Sequence, residues 1–102
     1  MYGTIAKLRV KPGKERELQE TMGQAGRDTP GFVFAHVYRL DEDPQTLMLA
    51  VAFDSRESYR ANAESPEQHQ EYLAYRALLD EEPEWHDGEI LFSEDQTERA
   101  TP

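Results

Sequence analysis

Two segments of this chain are apolar on both of the faces that a β-strand presents, and this feature constrains the fold more than any other. In FVFAHVYRL, residues 32–40, and in LMLAVAF, residues 47–53, the alternate positions on either side carry mainly apolar side chains. A strand with one face in water would instead alternate apolar and polar residues. We therefore expect both faces of these two strands to be buried.

The spacing of apolar and turn-forming residues divides the rest of the chain into short elements. The predicted elements are strands over residues 2–10, 32–40, 47–53 and about 85–92, and helices over about 14–27, 54–63 and 66–81. This β-α-β-β-α-α-β order is typical of a ferredoxin-like α+β fold, in which a four-stranded antiparallel sheet carries helices on one face. We expect one domain, residues 1–93, and a polar, flexible tail, residues 94–102.

Two of the predicted helices have recognisable start signals. Before the shorter one, Asp54 and Glu57 fit a capping box, in which two residues three positions apart each accept a hydrogen bond from the other's backbone N–H. Before the longer one, Ser65 is the predicted cap and Pro66 suits the first helical position. The longer helix is expected to reach about Glu81.

Helices on one face of such a sheet leave the other face uncovered. Because the strands over residues 32–40 and 47–53 are apolar on that face as well, a single copy would expose a larger apolar patch than monomers usually tolerate. A second copy that packs sheet to sheet would cover the patch through a two-fold interface. We therefore expect an obligate homodimer formed through the helix-free face.

The charge distribution excludes several classes of partner. The net charge is -10, and residues 54–102 carry fourteen acidic residues against four arginines. Nucleic-acid binding needs a basic face, which is absent, and an anionic membrane surface would repel this half of the chain. No apolar run approaches the ~20 residues needed to span a bilayer. The segment MYGTIAKLRV lacks the features of a signal peptide, so a cytoplasmic location is expected.

Over about residues 2–92 the chain resembles the antibiotic biosynthesis monooxygenase-like family of dimeric α+β barrel proteins. The resemblance is carried by KPGKERELQE after the first strand, PGFVFAHVYRL, the run FDSRESYRANAESPEQHQEY, and PEWHDGEI. Many members begin that run with Trp in a W-x-S-x-E-A-Y-like pattern, where this chain has Phe53. The resemblance implies the fold and the dimer. It implies no single activity, because the superfamily includes haem-degrading enzymes, quinone-forming monooxygenases, isomerases and many members of unknown function.

Haem degradation is the activity that the resemblance argues against. The haem-degrading branch is expected to have an Asn in the first strand, a Trp in the short helix and a His at the start of the long helix. By alignment these positions hold Ala6, Asn62 and Tyr72. None carries the expected residue, so we expect neither haem nor any other cofactor.

A cofactor-free monooxygenase requires less of the protein. In that branch of the superfamily a phenolic substrate is deprotonated, and its carbanion reduces O₂ directly. The protein offers a dry apolar pocket, a base, and polar groups for the oxyanion. The expected ligand is then a small aromatic or polyketide-like molecule. The alternatives are a non-catalytic dimer that binds a small molecule, and a lactone isomerase that uses the same base.

His36, Tyr38 and Asn62 are the candidate catalytic residues. His36 lies among apolar residues in the middle of a strand, where it would be the base and Tyr38 a hydrogen-bond donor. The alternative is a hydrogen-bonded histidine at the interface between two sheets, because periodicity does not reveal which face meets the helices. Asn62 would hold a carbonyl or oxyanion, or else only loosen the end of its helix.

Four further residues are expected to line the pocket: Tyr59, Tyr72, Trp85 and His86. Tyr59 lies on the short helix that often lines the pocket in this superfamily. Tyr72 also suits a place in the core, and Trp85 also suits anchoring of the last strand. His69, in an acidic helix, is interpreted as a surface residue.

The stretch EWHDGEI, residues 84–90, raises the question of a metal site. In a regular strand successive side chains point to opposite sides, so His86 points away from Asp87 and Glu89. A bulge at Gly88 would be needed to bring them together. Without it a face holds at most one histidine, which is a poor set for Zn or Fe. We expect no metal.

Overall fold

The computed structural model of the protein describes residues 1–23 and 29–94. These residues form β1 (Tyr2–Arg9), α1 (Glu15–Gly23), β2 (Phe32–Arg39), β3 (Thr46–Phe53), α2 (Arg56–Ala63), α3 (Pro66–Arg76) and β4 (Glu84–Glu89). This order confirms the predicted ferredoxin-like α+β fold. The predicted end of the first helix, residues 24–27, and residues 95–102 of the predicted tail lie outside the described residues.

The four strands form one antiparallel sheet in the order β2-β3-β1-β4. The first strand of the chain is therefore a central strand, and the last one lies at an edge. Thr4 in β1 lies opposite Val51 in β3 and opposite Asp87 in β4. Residues that lie directly opposite one another share a face of the sheet. This register thus assigns each strand residue to the helix-covered or the helix-free face.

The hydrophobic core lies between the helix-covered face and the helices. Its buried residues are Ala6, Leu8, Val10, Leu18, Leu47, Leu49, Tyr75 and Leu79. Full burial of one such leucine contributes roughly 1.5–3 kcal/mol. The core holds α1 and α3 against the sheet.

Serine caps begin both helices that follow β3. In α2 the Ser55 Oγ atom accepts a hydrogen bond from the Ser58 backbone N–H at 3.1 Å. The predicted cap, Asp54, is wrong by one residue, because the accepting oxygen belongs to Ser55. The Asp54 backbone N–H donates to the Gly31 carbonyl in the turn before β2. In α3 the Ser65 Oγ atom accepts from the Gln68 backbone N–H at 3.1 Å, as predicted.

Helix α3 ends at Arg76, earlier than predicted. Beyond it the chain turns to meet the end of β1. The Lys11 backbone N–H donates to the Leu78 carbonyl at 2.9 Å, and the Asp80 backbone N–H donates to the Arg9 carbonyl at 2.8 Å. These bonds replace the helical ones and hold this segment against the sheet.

The helix-free face of the sheet is largely apolar and exposed. Ile5 in β1 is 53% exposed and Tyr38 in β2 is 56% exposed, while Met48 between them is partly buried. The His36 ring stacks on Phe34 on this face, with ring centroids 4.7 Å apart. Within the described part of the chain, no helix combines the length and the apolar character needed to cross a membrane.

Candidate functional site

An open cavity of about 1460 Å³ lies between the helix-covered face of the sheet and the helices. Its sheet wall is apolar and includes Val37, Leu49, Val51 and Phe53. Aromatic rings from α2, α3 and β4 also border it: Tyr59, Tyr72, Tyr75 and Trp85. The space exceeds the volume that a drug-sized ligand usually occupies. A cavity of this size and lining suits a small apolar or aromatic molecule.

A hydrogen bond between α2 and β4 crosses one side of this cavity. The Tyr59 Oη atom donates to the Asp87 Oδ1 atom at 2.8 Å. The Tyr59 ring also makes edge contacts with Tyr2 and Phe53, at centroid distances of 5.2 and 5.8 Å. Burial, and next the hydrogen bond to Asp87, raise the pKa of Tyr59 to about 12. The phenol is therefore a neutral donor at physiological pH.

Thr4 lies beside this pair on the central strand. It is directly opposite Asp87 in the sheet and only 6% exposed. The Thr4 hydroxyl opposes the rise in the Tyr59 pKa, so it lies close to the phenol. Even so, the buried Thr4 Oγ1 atom has no hydrogen-bond partner of normal geometry among the described residues. We call Thr4, Tyr59 and Asp87 the polar anchor.

Asn62 borders the cavity from the end of α2, as expected for a residue that contacts a ligand. Its Nδ2 atom lies 3.4 Å from the Gln68 Oε1 atom, which is a long hydrogen bond. The Asn62 backbone carbonyl accepts a hydrogen bond from the Ser65 hydroxyl at 2.8 Å. The backbone at Asn62 is thus fixed, while its amide is held only weakly.

His36 and Tyr38 do not lie in the cavity with Asn62. His36 is opposite Ala50 and Tyr38 is opposite Met48, and neither lines the cavity, whereas Val37 between them does. Both therefore lie on the helix-free face, so the expected His36–Tyr38–Asn62 set is not brought together in the chain. Because β2 and β3 are apolar on both sides, alternation could not distinguish the two placements.

Three of the four residues expected to line the pocket border the cavity: Tyr59, Tyr72 and Trp85. His86 is the exception. It lies opposite Ile5 on the helix-free face, and its Nε2 atom is 3.0 Å from the Glu84 Oε1 atom. Strand alternation, which turns Trp85 towards the cavity, necessarily turns His86 away from it.

Thr4, His69 and Asp87 are among the cavity residues that were not predicted from the sequence. His69, interpreted as a surface residue, is exposed but borders the cavity from the first turn of α3. Asp87 had a usable signal, because it lies two residues after Trp85 and so on the same side of β4. Thr4 had a similar signal, because it lies two residues before the buried Ala6 in β1 and so on the same side of that strand.

Strand β4 is regular at Gly88, which lies directly opposite Gly3 with no break in register. The side chains of His86 and Asp87 therefore stay on opposite faces. Across residues 1–23 and 29–94, no three histidine, aspartate or glutamate side chains are grouped so that they could hold a metal ion.

Comparison with known proteins identifies a family. The model of the family described as antibiotic biosynthesis monooxygenase matches residues 1–82. No curated protein matches the chain.

Several solved structures share the fold. A protein of Chloroflexus aurantiacus J-10-fl, provisionally named an antibiotic biosynthesis monooxygenase, is 26% identical, with 92% of this chain and 96% of that chain covered and a TM-score of 0.76. A conserved protein of Methanosarcina mazei Go1 is 21% identical, with coverages of 85% and 89% and a TM-score of 0.76. SnoaB, a cofactor-independent oxygenase from Streptomyces nogalater, is 15% identical, with coverages of 90% and 94% and a TM-score of 0.79. At the two lower identities the likeness shows the fold alone.

Proposed function

The chain belongs to the antibiotic biosynthesis monooxygenase family, and on this premise we propose that it is a cofactor-independent monooxygenase acting on a small aromatic or polyketide-like molecule. One observation carries the proposal: the cavity between the sheet and the helices has apolar, aromatic walls and a few hydrogen-bonding groups. Such a lining suits the binding of an aromatic ring. The cofactor-independent oxygenase SnoaB, which has the same fold, adds support by analogy.

The proposed reaction needs only substrate and O₂. A ring CH₂ group loses a proton, and the resulting carbanion reduces O₂. One oxygen atom becomes a carbonyl at that carbon, and the other leaves as water with the two hydrogens of the CH₂ group. The four electrons lost by the substrate match the four gained by O₂, so no external reductant is required.

Two cavity residues have the chemistry that this reaction asks of a protein. The His69 imidazole, which borders the cavity, is the group that would take the proton. The Asn62 amide, held only by a 3.4 Å bond to Gln68, is free to donate to the developing oxyanion. His36 and Tyr38 have no role in this scheme, because they lie on the opposite face of the sheet.

Oxygen uptake by the purified protein tests the proposal. With a panel of anthrones, whose central ring carries the required CH₂ group, we expect at least one compound to be oxidised, with one O₂ consumed per molecule. Asn62→Ala and His69→Ala should each lower kcat by roughly 10²-fold or more. His86→Ala, which changes a histidine outside the cavity, is the matched control and should retain activity. Absence of O₂ uptake across the panel would contradict the proposal.

A non-catalytic dimer that binds a small molecule is the second candidate. It is favoured by the exposure of His69, because a base in contact with water is poorly placed for carbanion chemistry. A ligand that raises the melting temperature but is not turned over would support this candidate. Proton exchange at a substrate carbon without O₂ consumption would instead indicate an isomerase.

We also propose that the protein is a homodimer whose two sheets pack through their helix-free faces. Two apolar side chains there, Ile5 and Tyr38, are more than half exposed in the single chain. A two-fold related copy presents the same apolar surface, so each copy covers the other. A cytoplasmic location stays a prediction, which cell fractionation tests.

A further inference from the structure

We infer that the polar anchor, Thr4, Tyr59 and Asp87, recognises one neutral hydroxyl group of an aromatic ligand in the cavity. This inference rests on the proposed function only in placing the ligand between the sheet and the helices. It goes further by naming the side chains that select the ligand and the group that they select.

Asp87 supplies the acceptor of the polar anchor. An ionised carboxylate accepts hydrogen bonds through both of its oxygens and donates none. The Oδ1 atom of Asp87 accepts from Tyr59, and the Oδ2 atom has no hydrogen-bond partner among the described residues. Because Tyr59 stays protonated, it fixes the carboxylate in place. A ligand group that donates a hydrogen bond therefore meets a charged acceptor in a fixed position. Hydrogen bonds to a charged acceptor are stronger than those between neutral groups.

Thr4 lies behind the phenol of the polar anchor. Its Oγ1 atom is buried and so is not exposed to a ligand, and its hydroxyl interacts with the Tyr59 phenol, partly counteracting the rise in the pKa of Tyr59. Thr4 thereby supports the phenol that holds Asp87. A ligand hydroxyl therefore has one charged partner in the polar anchor, the Oδ2 atom of Asp87, to which it donates.

The same geometry disfavours other groups. An ether or a ketone has no hydrogen to give to Asp87. A carboxylate or phenolate brings a negative charge towards Asp87 and is repelled. The ring that carries the hydroxyl would lie against Trp85, which is two residues from Asp87 on the same face, and against Phe53 on the sheet wall.

Isothermal titration calorimetry with two matched probes tests the inference. 2-Naphthol has a donor hydroxyl and is neutral at about pH 7, since phenols ionise near ~10. 2-Methoxynaphthalene keeps the rings and the oxygen but has no donor. Under nitrogen, where no oxidation can occur, we expect the whole protein to bind 2-naphthol roughly tenfold more tightly or better.

Two variants assign that preference to the polar anchor. Asp87→Ala should reduce the ratio of the two affinities to within about threefold. Thr4→Val keeps the shape of a buried side chain and removes only the hydroxyl behind the Tyr59 phenol, so it should fold well and reduce the preference for 2-naphthol less than Asp87→Ala does. Asp80→Ala removes an exposed carboxylate outside the cavity and should leave the ratio unchanged.

Equal affinity for both probes, no binding of either, or a preference that survives Asp87→Ala would overturn the inference. These outcomes are separable from failure of the proposed function. A preference for 2-naphthol without any O₂ uptake would keep the hydroxyl site and reject the monooxygenase. Turnover of anthrones by a protein with no such preference would do the reverse.

Discussion

Tyr59 and Asp87 lie 28 residues apart in the chain, yet their Oη and Oδ1 atoms are 2.8 Å apart. Their hydrogen bond joins helix α2 to strand β4. Because β4 is an edge strand that pairs only with β1, this bond ties it to a second element. This hydrogen bond therefore holds one side of the cavity in place, and it also fixes the Asp87 carboxylate that borders the cavity.

The raised pKa of the buried phenols predicts loss of stability in alkaline solution. Burial, above all, raises the pKa of Tyr59 to about 12 and that of Tyr75 still further. The folded state thus favours the protonated phenols. Their contribution is fully present below about pH 10, where unfolded tyrosine ionises, and is lost as pH rises towards the folded values. Urea unfolding at increasing pH should show this decline, with a shallower slope in Tyr59→Phe. A stability that rises over this range would contradict it.

Stability is also expected to fall in acid, because of Asp43 in the turn between β2 and β3. The hydrogen bond from the Thr46 hydroxyl, at 2.7 Å, and then those from Gln45 and Arg9, hold the pKa of Asp43 below its usual value. A lowered pKa stabilises the fold above the unfolded value, and this contribution is lost as pH falls through the folded value. Asp43→Asn should therefore lower the free energy of unfolding in urea at about pH 7, and the difference should shrink below about pH 4. Asp41→Asn is the control; an equal loss in both variants would contradict a specific role for Asp43.

The proposed dimer through the helix-free face predicts that a charge at the centre of that face separates the two copies. Ile5→Glu would bury an unpaired carboxylate at that interface, which is strongly unfavourable. The dissociation constant of the Ile5→Glu dimer, measured by light scattering over a dilution series, should be at least about tenfold higher than that of the wild-type dimer. Leu73→Glu is the matched control, because Leu73 is similarly exposed, at 50%, but lies on α3. A wild-type protein that is monomeric at micromolar concentration would contradict the dimer.

Two glycines that face each other across β1 and β4 should respond differently to a methyl group. A Cβ atom at Gly3 would overlap the Val51 carbonyl oxygen, whereas one at Gly88 would meet nothing within 4 Å. Gly3→Ala should therefore lower the free energy of unfolding by about 1–3 kcal/mol, as overpacking does. Gly88→Ala should be neutral or slightly stabilising. Urea titration of both variants checks this, and equal effects would contradict the predicted crowding at Gly3.

The elements of this fold could be predicted from sequence because each has a local signal. Ser65 followed by Pro66 begins α3, and β2 and β3 have continuous apolar runs. The end of α3 has no such signal. Leu78 and Leu79 suit the inner side of a longer helix, but hydrogen bonds to β1, a segment distant in sequence, take this part of the chain out of the helix.

The candidate site could be predicted only in part, for a related reason. His36 and Val37 are adjacent in a strand that is apolar on both sides, so the sequence does not tell which of them meets the helices. The pairing with β3, shifted by an irregularity between Phe32 and Phe34, decides it. Contacts such as that of Tyr59 with Asp87 depend on tertiary structure and leave no periodic pattern.

The strand order has a consequence for how the protein becomes functional during synthesis. Thr4 and Asp87 are neighbours in the sheet but stand near opposite ends of the chain. The hairpin of β2 and β3 can pair as soon as it leaves the ribosome, whereas β1 must wait for β3, and its other edge stays open until β4 emerges. Long-range pairings of this kind form slowly. A nascent chain should therefore acquire most of its sheet before it can bind any ligand, and recognition of a hydroxyl group would begin only with the last strand.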